Sequence, residues 1–350
     1  MRCTIITHPP ARNYGGILQA YALSSAIKDA GHEVQVLQGP YKKIPLYKKI
    51  ATAMKKFIGR DRNKRFLKLQ DFVNKNIPLT PLWHGEFVDV GDCVVVGSDQ
   101  VWRPSYTPCP GAFFGDFLPD DSSVKRIAYA ASFGVDQWEF SPSQSDEFGK
   151  LLKKFAAVSV REDSGITLCQ EHWQIAAEQM PDPTLLHGAE FYRKSYAGVT
   201  TAKNVLFTYF LDPDDDKMRL AEETAAALNI PVFNFMPKNK KHALLSVPEF
   251  LSGIDNARLV LTDSFHGMAF SMIFGTPFAV TGNAKRGMTR FILAKNAGAG
   301  EALLEKPYAV GKCVELASSP EVFAQVGSFL QSERKRGREF LAKHLGGNFL

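Results

Sequence analysis

Long apolar runs, paired cysteines and biased tracts are all scarce in this chain of 350 residues, and each shortage closes off a class of protein. No stretch approaches the ~18 consecutive apolar residues that a membrane span needs. The longest candidate, Met268 to Val280, is interrupted by Gly275 and Pro277. The opening MRCTIITH reads as a β-strand, since a secretory signal would need a longer apolar region and a cleavage site. Five cysteines (Cys3, Cys93, Cys109, Cys169 and Cys313) are odd in number and show no CxxC or other tight metal spacing. That pattern fits reduced thiols in a cytoplasmic enzyme better than a disulfide framework, and it calls for no metal. Internal repeats, low-complexity tracts, zinc fingers and RNA-recognition signatures are missing too, which leaves nucleic acid as the weakest partner class.

What remains is a globular composition. With 45% hydrophobic and 11% aromatic residues the chain has ample surface to bury, and disorder is excluded. At roughly 100–200 residues per domain the length implies two domains. Charge is unevenly placed. The net value is +6, yet Lys42, Lys43, Lys48, Lys49, Lys55, Lys56, Arg60, Arg62, Lys64, Arg65 and Lys68 face only Asp61. Eleven cations against one carboxylate give +10 there and leave −4 for the rest. Leu46, Ile50, Ala53, Met54, Phe57 and Ile58 recur within it at broadly helical spacing, so segment 42–68 reads as a basic amphipathic helix. It suits an anionic membrane surface or a phosphorylated substrate, or simply a solvated helix face. Arg334, Lys335, Arg336 and Arg338 form a second basic cluster.

Short apolar runs alternate with amphipathic stretches, the pattern of an α/β protein with mostly parallel sheets. Strands are expected at Arg2–Thr7, Glu33–Leu37, Asp92–Val96, Arg126–Ala131 and Ala156–Val160, with helices at Ile17–Ala30 and Asp146–Lys154. After Pro181 and Pro183 the pattern restarts, with strands at Val205–Leu211, Val232–Phe235, Arg258–Leu261 and Pro277–Val280. Helices at Asp214–Leu228, Pro248–Asn256 and His266–Phe274 separate them. The expected division is 1–190, then 200–317, then a C-terminal helix in 318–350 that packs back on the first domain. Ligands are expected in a cleft between the halves, at the carboxyl ends of strands.

Four strand-to-loop junctions carry the chemistry. In HPPARNYGGILQAYAL, Asn13, Gly15 and Gly16 precede a helix whose free N–H groups suit an anion, although the spacing matches neither GxGxxG nor a Walker loop. In VVVGSDQVW a buried strand delivers Ser98, Asp99 and Gln100 to its carboxyl end. Asp99 is placed to orient a sugar hydroxyl or take its proton, or else to cap the next helix. Trp102 either stacks on a sugar ring or packs. In AVSVREDSG, Arg161 leaves a strand and would grip a carboxylate or phosphate, unless Glu162, Asp163 or another carboxylate holds it. In RLVLTDSFHGMAFSMIFGTPF the strand ends in Thr262, Asp263 and Ser264, and His266 opens an apolar helix as a candidate acid, base or anion ligand. Downstream, Arg286 and Arg290 add positive charge.

Together and in this order, NYGGILQAYAL, VVVGSDQVW, SVRED, MPDPTLL, LTDSFHGMAFSMIFGTPF and RFILAKNAG resemble the polysaccharide pyruvyl transferase family over about residues 5–298. The resemblance implies two Rossmann-like domains facing across a cleft, similar to the GT-B glycosyltransferases. It implies transfer of a pyruvyl group from phosphoenolpyruvate onto two sugar hydroxyls, giving a cyclic ketal without a cofactor. The family's cationic and imidazole donor-binding positions map onto Arg161 and His266. Members often carry Arg-Leu-His where this chain reads Ser264-Phe265-His266, so either Arg286 or Arg290 supplies the missing cation or the donor differs.

Such a reaction needs an acid for the methylene carbon, a base for the attacking hydroxyl and cations for the donor's carboxylate and phosphate. His266 is expected as the phosphate contact and acid, Asp99 as the acceptor-side base and Arg161 as a donor contact. Asn13, Gly15, Gly16, Ser98, Gln100, Trp102, Asp263 and Ser264 would line the substrates. A lipid-linked saccharide acceptor at the cytoplasmic membrane face would give segment 42–68 a role. The alternatives are a nucleotide-sugar glycosyltransferase in the same fold and a non-catalytic docking protein of a glycan-assembly complex.

Overall fold

The computed structural model describes residues 1–39, 62–83, 88–107, 109–236, 243–282 and 291–349. Most of the basic segment 42–68, up to residue 61, lies outside the described residues, as do Arg286 and Arg290. The chain divides into two α/β units, Met1–Leu186 with Lys335–Leu350, and His187–Arg334.

The first unit runs β1 (Arg2–Ile6), α1 (Tyr14–Asp29), β2 (Glu33–Gln38), α2 (Leu67–Asn76), β3 (Leu79–Leu82), β4 (Cys93–Val96), β5 (Lys125–Ala131), α3 (Pro142–Leu152), β6 (Ala157–Val160), α4 (Asp163–Trp173) and β7 (Glu178–Gln179). Its seven described strands pair in the order β3-β2-β1-β4-β5-β6-β7, all parallel. Residues Cys93–Val96 are buried at every position, as a strand covered on both faces requires, and this explains the unbroken apolar run CVVV. Crossovers leave β1 and β4 in opposite directions, so their exit loops part at the topological switch point, where open α/β sheets bind ligands.

The second unit runs α5 (Ala189–Ser195), β8 (Leu206–Tyr209), α6 (Asp215–Leu228), β9 (Val232–Asn234), α7 (Val247–Asp255), β10 (Leu259–Thr262), α8 (Phe265–Phe274), β11 (Phe278–Thr281), α9 (Ile292–Asn296), β12 (Leu303–Leu304), α10 (Val310–Ser318) and the first half of α11 (Val326–Leu345). Its parallel sheet is ordered β12-β11-β10-β8-β9, with the switch point between β8 and β10.

Residues after Arg334 return to the first unit. Gly337 makes that return possible, because a Cβ there would lie 2.8 Å from Leu186 Cδ2 and 3.0 Å from Pro181 Cγ. The second basic cluster turns out to work on backbone. Arg336 donates to Gln179 O (2.6 Å), and Arg338 donates to Leu186 O (2.9 Å) and Phe349 O (2.8 Å). Arg334, at the end of the second unit, donates to His187 O (3.2 Å). The three guanidinium groups satisfy these backbone carbonyls and Lys335 lies 3.7 Å from Glu339, which accounts for the cluster within the protein.

Candidate functional site

At the switch point of the first unit, helix α1 begins at Tyr14 because Asn13 caps it. Asn13 sits in extended backbone (φ −142°), and its side-chain oxygen accepts from Gly16 N (3.2 Å). Two neutral side chains, Thr7 and Gln19, then tie the two exit loops together through the backbone of Ser98. Thr7 Oγ1 donates to Ser98 O (2.9 Å) and accepts from Gln19 Nε2 (2.9 Å), while Gln19 Oε1 accepts from Ser98 N (3.1 Å). Beyond them Asp99 stands in left-handed backbone (φ 71°), a conformation that short polar side chains tolerate better than bulky ones. Its Oδ1 accepts from Gln100 N (2.8 Å). Its Oδ2 faces Gly16, where an added Cβ would lie 3.4 Å away. A half-buried carboxylate is therefore held over the first turn of α1, and Gly16 leaves the space beneath it.

Arg161 leaves β6 nearby and is heavily engaged. Nε donates to Glu162 Oε1 (3.0 Å), Nη1 to Asp182 Oδ2 (3.1 Å) and Nη2 to Ser132 Oγ (3.1 Å). Asp182 is itself held by Thr184 N (3.0 Å) and Thr184 Oγ1 (2.8 Å). Ser132 Oγ donates to Glu162 Oε1 (2.7 Å). Burial works against the guanidinium charge, but Glu162, Asp182 and Asp99 outweigh it, and the Arg161 pKa is raised. The positive charge is permanent, and Asp99 lies within its field.

In the second unit, Ser264 caps α8 through Gly267 N (3.4 Å), which sets half-buried His266 in the first turn of that helix. Gly267 is required because a Cβ would crowd the Thr262 side chain. Thr262 Oγ1 donates to Tyr209 O (2.7 Å) and accepts from Ser264 N (3.0 Å). Asp263 points inward. It accepts from Leu211 N (2.6 Å), Asp212 N (3.1 Å) and Lys217 Nζ (2.8 Å), and Lys217 also donates to Asp212 O (2.8 Å). Both side chains of this ion pair are essentially buried.

Several expected substrate contacts prove to be structural. Trp102 is 1% exposed; it stacks on Phe114 (centroids 5.6 Å apart), packs edge-on against Phe133 and Trp173, and donates its Nε1–H to Phe113 O (3.3 Å). No face is open to a sugar. Ser98 is fully buried, with Oγ donating to Ala130 O (2.7 Å), and Asp263 serves backbone and Lys217. Asn13, Gly15, Gly16, Asp99, Gln100 and Arg161 belong to the first unit, Ser264 and His266 to the second. Sequence reading passed over Gln19, Ser132, Asp182 and Lys217. The PDPT run held the only local signal, a turn in which Asp182 precedes Thr184. Among the described residues no three metal-ligating side chains cluster, and no helix is long and apolar enough to cross a membrane.

A family model described as polysaccharide pyruvyl transferase matches residues 13–285. No curated protein matches the chain significantly. Among solved structures, the chain is similar to one from Listeria monocytogenes provisionally assigned as a UDP-N-acetylglucosamine 2-epimerase (10% identity, TM-score 0.57, 99% of this chain and 98% of that one). It is also similar to the UDP-GlcNAc 2-epimerase from Neisseria meningitidis bound to UDP-GlcNAc (12%, 0.52, 98% and 100%). The S. aureus MnaA–UDP co-structure is a third (10%, 0.51, 99% and 97%). At these identities the likeness shows the fold, two Rossmann-like units of GT-B type.

Proposed function

The chain belongs to the polysaccharide pyruvyl transferase family, which makes it a transferase, and we propose that it carries the pyruvyl group of phosphoenolpyruvate onto two hydroxyls of one saccharide. The first hydroxyl adds to C2 of the enol phosphate and loses its proton to a base while C3 gains one from an acid. Phosphate departs, and the second hydroxyl closes the ketal as its proton leaves. Asp99 is the base for the acceptor, His266 contacts the phosphate and supplies the acid, and Arg161 contributes a buried positive charge beside Asp99. A saccharide on a lipid carrier is the acceptor class that gives segment 42–68 a purpose, through attraction to anionic headgroups.

The observation that carries this reading is the placement of Asp99: a half-open carboxylate at a switch point, fixed by Gln100 N and facing the space left by Gly16. A base must present an oxygen to a hydroxyl proton within hydrogen-bond reach, and a site of this shape allows it. The test measures phosphate released from phosphoenolpyruvate with saccharide acceptors, for the parent and Asp99→Asn. Asn keeps the left-handed backbone but cannot take the proton, so turnover should fall by about 100-fold or more. Unchanged turnover would refute the assignment of Asp99. Thermal shifts with phosphoenolpyruvate, UDP, GDP and CMP run alongside, since a ligand that binds only the native state raises its melting temperature. Two similar structures carry UDP or UDP-GlcNAc, and a shift with a nucleotide alone would favour the nucleotide-sugar reading.

A further inference from the structure

The loop that presents Asp99 continues through two reverse turns, closed by Arg103 N to Gln100 O (3.2 Å) and Tyr106 N to Arg103 O (3.0 Å). A single helical turn at Pro104–Tyr106 ends it. Tyr106 is 49% exposed. An exposed tyrosine alone needs no explanation, but this one is built in. The Arg103 guanidinium lies 4.5 Å from the ring centroid and occupies one face. Arg103 is then locked from three sides, by Glu139 Oε1 (3.1 Å), Glu139 Oε2 (3.4 Å) and Gln100 Oε1 (3.3 Å). Glu139 also accepts from Ser105 Oγ (3.0 Å).

Three features follow. The ring packs on a fixed group, because Arg103 is 14% exposed and bonded at each of its three guanidinium nitrogens, so less side-chain entropy remains to be lost on binding. The guanidinium against the ring is held by Glu139, which also takes the Ser105 hydroxyl, and aromatic surface with a few placed polar groups suits a polyhydroxylated ring. Finally, Gln100 belongs to both parts: its side chain holds Arg103 and its N–H holds the Asp99 carboxylate.

We infer that Tyr106, backed by Arg103 and Glu139, is a stacking subsite for a sugar ring of the acceptor. This rests on the saccharide-acceptor reading above. It moves the sugar platform from Trp102, which is packed, to a residue four positions on. Tyr106 binds and orients; it takes no part in proton transfer.

Saturation-transfer difference NMR with methyl β-D-glucopyranoside, methyl β-D-galactopyranoside and methyl α-D-mannopyranoside tests it, because millimolar binding suffices. The parent should transfer saturation to ring protons of at least one glycoside. Tyr106→Phe should keep the signal, and Tyr106→Ala should lose it, with both variants melting within about 1 °C of the parent as exposed sites do. No transfer from any glycoside in the parent, or an equal signal in Tyr106→Ala, overturns the subsite. Phosphate release from phosphoenolpyruvate, followed in parallel on the parent, separates a failure of the subsite from a failure of the pyruvyl reading.

Discussion

Replacing Gly16 by alanine should raise stability and lower activity together. The position is helical, in the first turn of α1, and no unusual backbone angle reserves it for glycine. The new methyl would meet Asp99 Oδ2 at 3.4 Å and Asn13 Nδ2 at 3.7 Å, ordinary van der Waals contacts. A Gly-to-Ala change at a compatible helical site stabilises by about 0.4–1 kcal/mol, mainly by restricting the unfolded chain. For a unit of this size that corresponds to about 1–4 °C in melting temperature. The same methyl fills the space under the carboxylate with a group that cannot hydrogen-bond. A hydroxyl approaching Asp99 from that side would be displaced, and misplacement of about 1 Å costs up to about 100-fold in rate. Differential scanning calorimetry and steady-state phosphate release on one preparation read both effects. Turnover within twofold of the parent, with the melting temperature raised, would separate the first turn of α1 from the reaction. A melting temperature several degrees lower would instead mean that the contact with Asp99 is tighter than the structure gives.

The remaining predictions concern parts of the fold that look functional in sequence and are not, or the reverse. Lys217→Met leaves Asp263 buried without its ion partner and should destabilise the second unit by about 3–5 kcal/mol in urea unfolding, with Lys217→Arg losing less. Trp102→Ala opens a cavity among Phe114, Phe133 and Trp173 and should cost about 3–5 kcal/mol. At temperatures where it remains folded its KM for acceptor should be unchanged, and a selective rise in that KM would reinstate Trp102 as a contact. Cys109 is half-buried while the other four cysteines are buried. Burial pushes the Cys169 thiol up to about 12 and the Cys313 thiol up to about 11, the latter despite an opposing hydrogen bond with Thr224. Between pH 7 and 9 both stay protonated and unreactive. The hydrogen bond with Cys93 holds the Cys3 thiol below its ordinary value, but Cys3 and Cys93 are both fully buried. A disulfide-exchange reagent should therefore titrate one thiol of the native protein, and four or five rapidly reacting thiols would contradict this packing.

The strands that position the candidate residues were readable because burial on both faces leaves its mark as an apolar run, as in CVVV of β4 and LVLT of β10. The strands β3, β7 and β12 were not. The last two are two residues long, and β3 (LTPL) is an edge strand carrying Pro81, which an interior strand would exclude. Helix α3 was expected at 146–154 but begins at Pro142, where Ser141 and Gln144 form a capping box. That signal was present in SPSQ and sets the earlier start. For the site, the motif around Asp99 was visible, but the fates of Trp102 and Asp263 were not, since spacing does not say which side of a strand end faces the core. Of the partners of Arg161, the adjacent Glu162 was legible in the sequence, whereas Asp182 and Ser132, 21 and 29 residues away, are met only in the fold.

Both units close their switch points with side chains that bind the backbone of the neighbouring exit loop, but they do it with different chemistry. In the first, the side chains of Thr7 and Gln19 do the tying, both neutral, and they hold the backbone of Ser98. Asp99, the next residue, is left with only Gln100 N among the described hydrogen bonds to its carboxylate. In the second, the carboxylate at the strand end is itself the tie, and three donors converge on Asp263. An acceptor that already receives three hydrogen bonds in a buried site has little capacity left for substrate. The two aspartates, Asp99 three residues beyond β4 and Asp263 one residue beyond β10, therefore divide along physical lines: on the proposed function, substitutions at Asp263 should register in stability and substitutions at Asp99 in turnover. On the same proposal the second unit's loop acts through His266, which the Ser264 cap sets in the first turn of α8.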